Sequence, residues 1–201
     1  MTRKLFSTMT VAVLFLAACS PGIDKKVVVM SSGKIQVDNN TKTVTFQPGT
    51  QHNEAEISLG ANDKAVTVKT SSGEKQYELP ENGLYILNLK SDTLIGNLVN
   101  FGSSGVPASI SSEQLQHIVD STRALINGEN ASDENKTYFV VPNSVKKLTT
   151  NLNAQLLNPY KNVPYKVEAD KDGKAPEIYK FSTNKQKRES LEELMQRMNI
   201  K

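Results

Sequence analysis

Two histidines, His52 and His117, are the only imidazoles in this 201-residue chain, and 65 residues separate them. His52 stands among Gln51, Asn53 and Glu54 in a segment that reads as a polar loop. His117 stands beside the apolar face of a predicted helix, one turn after Glu113. A zinc site gathers three or four His, Cys or carboxylate ligands. Two isolated imidazoles point away from zinc, and no metal or other cofactor is expected. Asp170-Lys171-Asp172-Gly173 has the acids of a calcium loop, but its glycine comes one ligand too early, and the run reads as a hairpin turn. The carboxylate pairs Asp133-Glu134 and Glu192-Glu193 read as solvated, the second on a helix face with Arg188 and Arg197. No serine stands in a Gly-x-Ser-x-Gly elbow. No residue is therefore assigned a catalytic role.

Composition narrows the partners. Without Arg3 and Lys4 at the extreme N-terminus, the 24 basic residues become 22, against 21 acidic ones. No concentrated basic stripe is present, so nucleic acid is not an expected partner. Tryptophan is absent and aromatics are 6% of the chain, which argues against broad stacking platforms. The single cysteine, Cys19, excludes an internal disulfide, so stability must come from core burial. A chain of this length buries roughly 70% of its unfolded surface, enough for a real core.

The elements that would position any site are mostly short strands. Turn signals punctuate runs at Val27–Met30, Lys34–Asp38, Lys42–Phe46, Ala55–Leu59, Ala65–Thr70, Gln76–Leu79, Leu84–Leu89 and Thr93–Val99. Alternation is clean at Val44 and Phe46 and at Val66 and Val68. Ser32-Gly33, Pro48-Gly49 and Ser72-Gly73 read as turns. Seven or eight such strands predict a β-sandwich or a partly open barrel, with an antiparallel β-sandwich-like unit over 27–101 as the leading form. Gly102-Ser103-Ser104-Gly105 reads as a linker without the lysine or spacing of a P-loop.

A mixed unit over 107–201 is expected to follow, with one central and one C-terminal helix. Ser111 and Gln114 form a capping box ahead of Leu115, Ile118, Val119, Thr122, Leu125 and Ile126 on one face. Asn127-Gly128 closes that helix. Tyr138–Val141 reads as a strand, and Ser144–Leu157 fits either helix or strand. Tyr165–Glu168 and Glu177–Phe181 are predicted to flank a hairpin turn. In the closing helix, Leu191, Leu194, Met195 and Met198 make a narrow apolar stripe, with Ser190 and Glu193 as an internal cap. The stripe serves its own domain or, because methionine adapts, forms a candidate partner surface. The fold class expected is α+β and β-rich.

The N-terminus carries the most specific signal. Met1-Thr2-Arg3-Lys4 is a short positive region, and Val11–Ala18 is an uninterrupted apolar run too short to span a membrane. Leu16-Ala17-Ala18-Cys19 closes it. This tetrapeptide resembles the lipobox of bacterial lipoproteins, matching at all four positions. The resemblance covers about 20 residues. It implies cleavage between Ala18 and Cys19, a diacylglyceryl group on Cys19 Sγ, and acylation of the new α-amine. Ser20, where Asp would retain a lipoprotein in the inner membrane, implies outer-membrane routing in a Gram-negative cell. Residues 1–18 are then a signal peptide and 19–26 a lipidated tether.

The chain thus reads as a lipid-anchored envelope protein. Its expected partners are the membrane, through the lipid on Cys19, and an envelope protein. The leading expectation is a non-enzymatic binding or assembly component. The alternative is a small envelope hydrolase using acidic residues such as Glu168 and Glu177.

Overall fold

The computed structural model describes residues 22–99, 111–164, 167, 173 and 175–198. Cys19 with its leader, the Gly102–Gly105 run, and most of the expected turn and first strand around 165–172 lie outside the described residues.

Two long strands organise the chain. β1 (Lys25–Asp38) and β2 (Thr43–Leu59) pair antiparallel along their whole length. The pairing runs from Lys25↔Leu59 to Ser32↔His52, then resumes at Gly33↔Pro48. Gly49, Thr50 and Gln51 are therefore left without partners, as a β-bulge. The expected turns at Ser32-Gly33 and Pro48-Gly49 are corrected to one corner within a continuous ribbon. Gly33 is required there: its φ is +130°, and a Cβ would lie 2.1 Å from the Gln47 carbonyl oxygen. The bent ribbon puts both of its arms into one core. Val27, Val29, Ile57 and Leu59 of one arm cluster with Val44 and Phe46 of the other.

Four more strands complete that sheet: β3 (Ala65–Thr70), β4 (Gly73–Glu78), β5 (Gly83–Leu89) and β8 (Ser144–Thr149), in the order β4-β3-β2-β1-β5-β8. The sheet curls until β4 and β8 approach each other, a nearly closed barrel. Lys75 Nζ spans the seam by donating to the Asn143 carbonyl at 3.0 Å. Of the two forms expected over 27–101, the sheet takes the barrel-like one, and the all-antiparallel pairing expected there is corrected. β1 pairs with β5, and β2 with β3, in parallel.

A four-stranded sheet lies beside the barrel in the order β7-β6-β10-β9, built from β6 (Leu94–Leu98), β7 (Thr137–Val140), β9 (Gln155–Leu157) and β10 (Ile178–Thr183). It takes β6 from the N-terminal half, while the barrel takes β8 from the C-terminal half. The expected division at 101–107 therefore does not separate the sheets. Ser144–Leu157, open between helix and strand from sequence, is two strands.

Strand periodicity sorts the layers. In β1, Val27 and Val29 face the barrel core, while Val28 and Met30 pack on the second sheet. Tyr138, Val140, Tyr179 and Phe181 meet them from that sheet. Gly96 makes this packing feasible: a Cβ would lie 2.3 Å from the Phe181 ring. Ile95 and Phe139 point the other way, toward α1 (Ser112–Ile126) and α2 (Asn184–Arg197).

Both helices start on capping boxes. Ser111 and Gln114 form the one on α1, as the sequence reads. On α2, Thr183 and Gln186 form it, and the helix runs through Ser190. The internal cap expected at Ser190 is corrected, because Thr183 leaves β10 with extended φ/ψ and offers its hydroxyl to Gln186 N. On α1, Val119 and Ile126 are buried, but Ile118, placed by the sequence on the same apolar face, is 42% exposed. The seam runs through 119 and 126, and Ile118 lies about 100° round the helix from Val119.

Candidate functional site

The sequence-derived candidates do not converge. His117 is exposed on α1, with Nδ1 3.4 Å from the Ser121 hydroxyl. Glu177 is engaged: Tyr179 donates its hydroxyl to Oε1, and Thr149 donates to Oε2 at 3.1 Å. Glu168 and Cys19 lie outside the described residues. Leu191 is 8% exposed in a cluster with Ile95, Val119 and Ile126, and Leu194, Met195 and Met198 pack against it. The stripe thus packs at least in part on its own molecule.

His52 has a different setting from the polar loop expected. It lies in β2 beside the ribbon corner, opposite Ser32. Its side chain is 15% exposed, and both ring nitrogens are buried without a hydrogen-bond partner among the described residues. Tyr160 covers it, with ring centroids 4.9 Å apart and planes tilted by 49°. Tyr160 itself is 63% exposed, so its ring is a cap between His52 and solvent.

The cap is held by Asn158, which is buried. Asn158 Oδ1 accepts from the backbone N–H groups of Tyr160 at 2.9 Å and Lys161 at 3.0 Å, an Asx-type turn. Asn158 Nδ2 donates to Glu54 Oε2 at 2.9 Å, and Lys161 Nζ donates to Glu54 Oε1 at 2.7 Å. From β10, Lys180 Nζ donates to the carbonyls of Asn158 and Lys161. One carboxylate and two ammonium groups thus fasten a four-residue turn over the imidazole.

A buried cation completes the corner. Lys90 is 4% exposed; its Nζ donates to the Ser31 carbonyl at 3.2 Å and lies 5.7 Å from the Tyr160 ring centroid. Asn88 orients this segment by accepting from Lys90 N and donating to the carbonyls of Asp92 and Val140.

The electrostatics follow from burial. Burial pushes the Lys90 amine below its ordinary value, and Asp92 opposes the shift. Burial also lowers His52, helped by the Lys90 charge and opposed by Glu54, whose Oε2 is 4.0 Å from Nε2, and by the nearby Ser31 backbone. Burial alone would raise Glu54, but hydrogen bonds from Lys161 and Asn158 outweigh it and hold the carboxyl below its usual range. The neutral form of His52 is therefore favoured, with one ring nitrogen able to donate and the other to accept. Ser31 is no activated nucleophile, since its hydroxyl donates to the Gly33 carbonyl at 3.0 Å.

A cleft of about 620 Å³ adjoins the corner, lined by Lys26, Val28, Glu54, Glu56, Leu156 and Lys161 among others. Lys26 pairs with Glu56 across it at 3.1 Å. Among the described residues, no group of three or more His, Cys, Asp and Glu side chains is placed to hold a metal, and no helix is long and apolar enough to cross a membrane. Lys90, Asn158 and Tyr160 escaped sequence reading. The Asn-Pro-Tyr turn signal at 158–160 was the one available clue.

No protein-family model matches the chain, and neither a curated protein nor a solved structure matches it.

Proposed function

We propose that the protein is a lipid-anchored component of the bacterial cell envelope that works by binding rather than by catalysis. The observation that carries the anchor is Leu16-Ala17-Ala18-Cys19, directly after a positive and then apolar leader. Two or more acyl chains hold a protein stably on a membrane, at about 0.8 kcal/mol per buried CH₂. Ser20 favours the outer membrane in a Gram-negative cell. Support for binding comes from the corner at His52, Lys90 and Tyr160, which gathers polar groups without an activated nucleophile. An envelope protein is the partner class proposed.

The test is expression of wild-type and Cys19→Ala protein in cells fed labelled palmitate. Wild type is expected to take up label and lose residues 1–18, and Cys19→Ala to stay uncleaved and unlabelled. Label retained by Cys19→Ala refutes the anchor.

A further inference from the structure

The start of β1 is fastened at one end of the barrel. Asp24 N donates to the Leu59 carbonyl at 2.9 Å, and Gly83 N donates to the Asp24 carbonyl at 3.0 Å. Lys25 is 2% exposed, and its Nζ donates to the carbonyls of Ala61 at 3.0 Å and Asp63 at 2.8 Å. The β1–β2 turn returns to the same end because the ribbon is bent. Ser58 N donates to Asn39 Oδ1 at 3.2 Å, and Lys42 Nζ donates to the Ser58 carbonyl at 2.9 Å. The turns at 39–42 and 60–63 thus flank the entering chain, where Ile23 is 55% exposed. Together with Ile23 they line a cleft of about 520 Å³.

Asp24 is five residues beyond Cys19, a stretch that reaches at most about 18 Å. His52 lies at the other end of the first arm. It is opposite Ser32, seven residues along β1 from Lys25, or about 23 Å at the rise of a β-strand.

We infer that the barrel end formed by Ile23 and the turns at 39–42 and 60–63 faces the lipid bilayer, with the His52–Tyr160 corner directed away from it. The inference rests on Cys19 being the lipid anchor. With acyl chains fixing Cys19 and backbone hydrogen bonds fixing Asp24, little slack remains for the domain to turn over. Ile23 supplies an exposed apolar side chain where the chain leaves the bilayer. Headgroup charge is not the orienting force: Lys42 lies 3.6 Å from Asp63, and Lys25 is buried against carbonyls. The orientation therefore holds on zwitterionic and anionic lipid alike.

The experiment uses the full acylated protein, reconstituted in phosphatidylcholine vesicles. Acylation blocks Cys19, so Ala61→Cys and Thr50→Cys each introduce one free thiol for a fluorophore. Residue 61 belongs to the proposed bilayer face, and residue 50 lies in the bulge near His52. Nitroxide-labelled lipids are expected to quench the label at 61 several-fold more than that at 50, with the ratio unchanged by added phosphatidylglycerol. Equal quenching, or stronger quenching at 50, on protein whose Cys19 is acylated by mass spectrometry overturns the orientation alone. A ratio that collapses without phosphatidylglycerol overturns it too. Absence of acyl groups on wild-type Cys19 overturns the anchor and, with it, the orientation.

Discussion

The imidazole of His52 lies under the phenol ring of Tyr160, with centroids 4.9 Å apart, and among the described residues neither of its ring nitrogens reaches a hydrogen-bond partner. Buried polar groups nearly always find partners, so an orphaned imidazole beside a buried lysine is costly. The cost falls mainly on the charged form, because burial and Lys90 both oppose protonation. The linkage sign follows. His52 binds its proton less readily folded than unfolded, so the unfolded chain carries more protons near and below its ordinary value of 6.5. The folded state has its full advantage above that value and loses it as the pH falls toward the depressed one. Urea unfolding between about pH 7.5 and 5.5 should therefore show wild type losing stability on acidification. His52→Gln should flatten that component. An unchanged pH slope in His52→Gln would assign the sensitivity elsewhere.

Charge substitutions around the ring should move its titration in opposite directions. Lys90→Met removes the repelling charge and should raise the His52 value. Glu54→Gln removes the favourable charge and should lower it. Tyr160→Ala readmits water and should raise it. Imidazole NMR titration of each variant is the measurement, and a downward shift in Tyr160→Ala would contradict the cap.

Asn158→Ala should free the turn. It removes an acceptor for two backbone N–H groups and a donor to Glu54. The expected destabilisation is about 1–3 kcal/mol, the range for leaving buried polar groups unpaired. Faster amide exchange at Tyr160 and Lys161 should accompany it. Loss of stability with protected amides would show that the turn is held by other contacts.

Much of this architecture was legible along the chain, and the corner at His52 was not. Alternation at Val44 and Phe46 and at Val66 and Val68 marks strands correctly, because one face of each is buried. The Ser111–Gln114 box marks the start of α1, because it is a local hydrogen-bond pattern. Ser32-Gly33 looks like a turn because glycine serves turns and bulges alike. Only the close approach of the Gln47 carbonyl makes it a corner. Parallel pairing of β1 with β5 leaves no local trace, since the strands are joined only through the intervening elements. Lys90 and Tyr160 reach His52 from 38 and 108 residues away, and neither residue type announces a site.

The helical layer gives a contrast within one element. Val119→Ala should cost about 2 kcal/mol, from two buried carbons and the cavity they leave. Ile118→Ala, on the exposed side, should stay below about 0.5 kcal/mol. Leu191→Ala, from the facing helix, should cost about 2–4 kcal/mol. Denaturant unfolding of the three variants decides the packing. A large loss in Ile118→Ala with a small one in Val119→Ala would reverse the face assigned to α1.

The central claim is that Cys19 carries lipid and begins the mature protein. Mass spectrometry of the N-terminal tryptic peptide from the membrane-extracted protein tests it most directly. The expected result is a peptide beginning at Cys19 and ending at Lys25, heavier than its sequence by a diacylglyceryl group, with or without an amide-linked acyl chain. A peptide with an unmodified Cys19, or a mature N-terminus elsewhere, would contradict it.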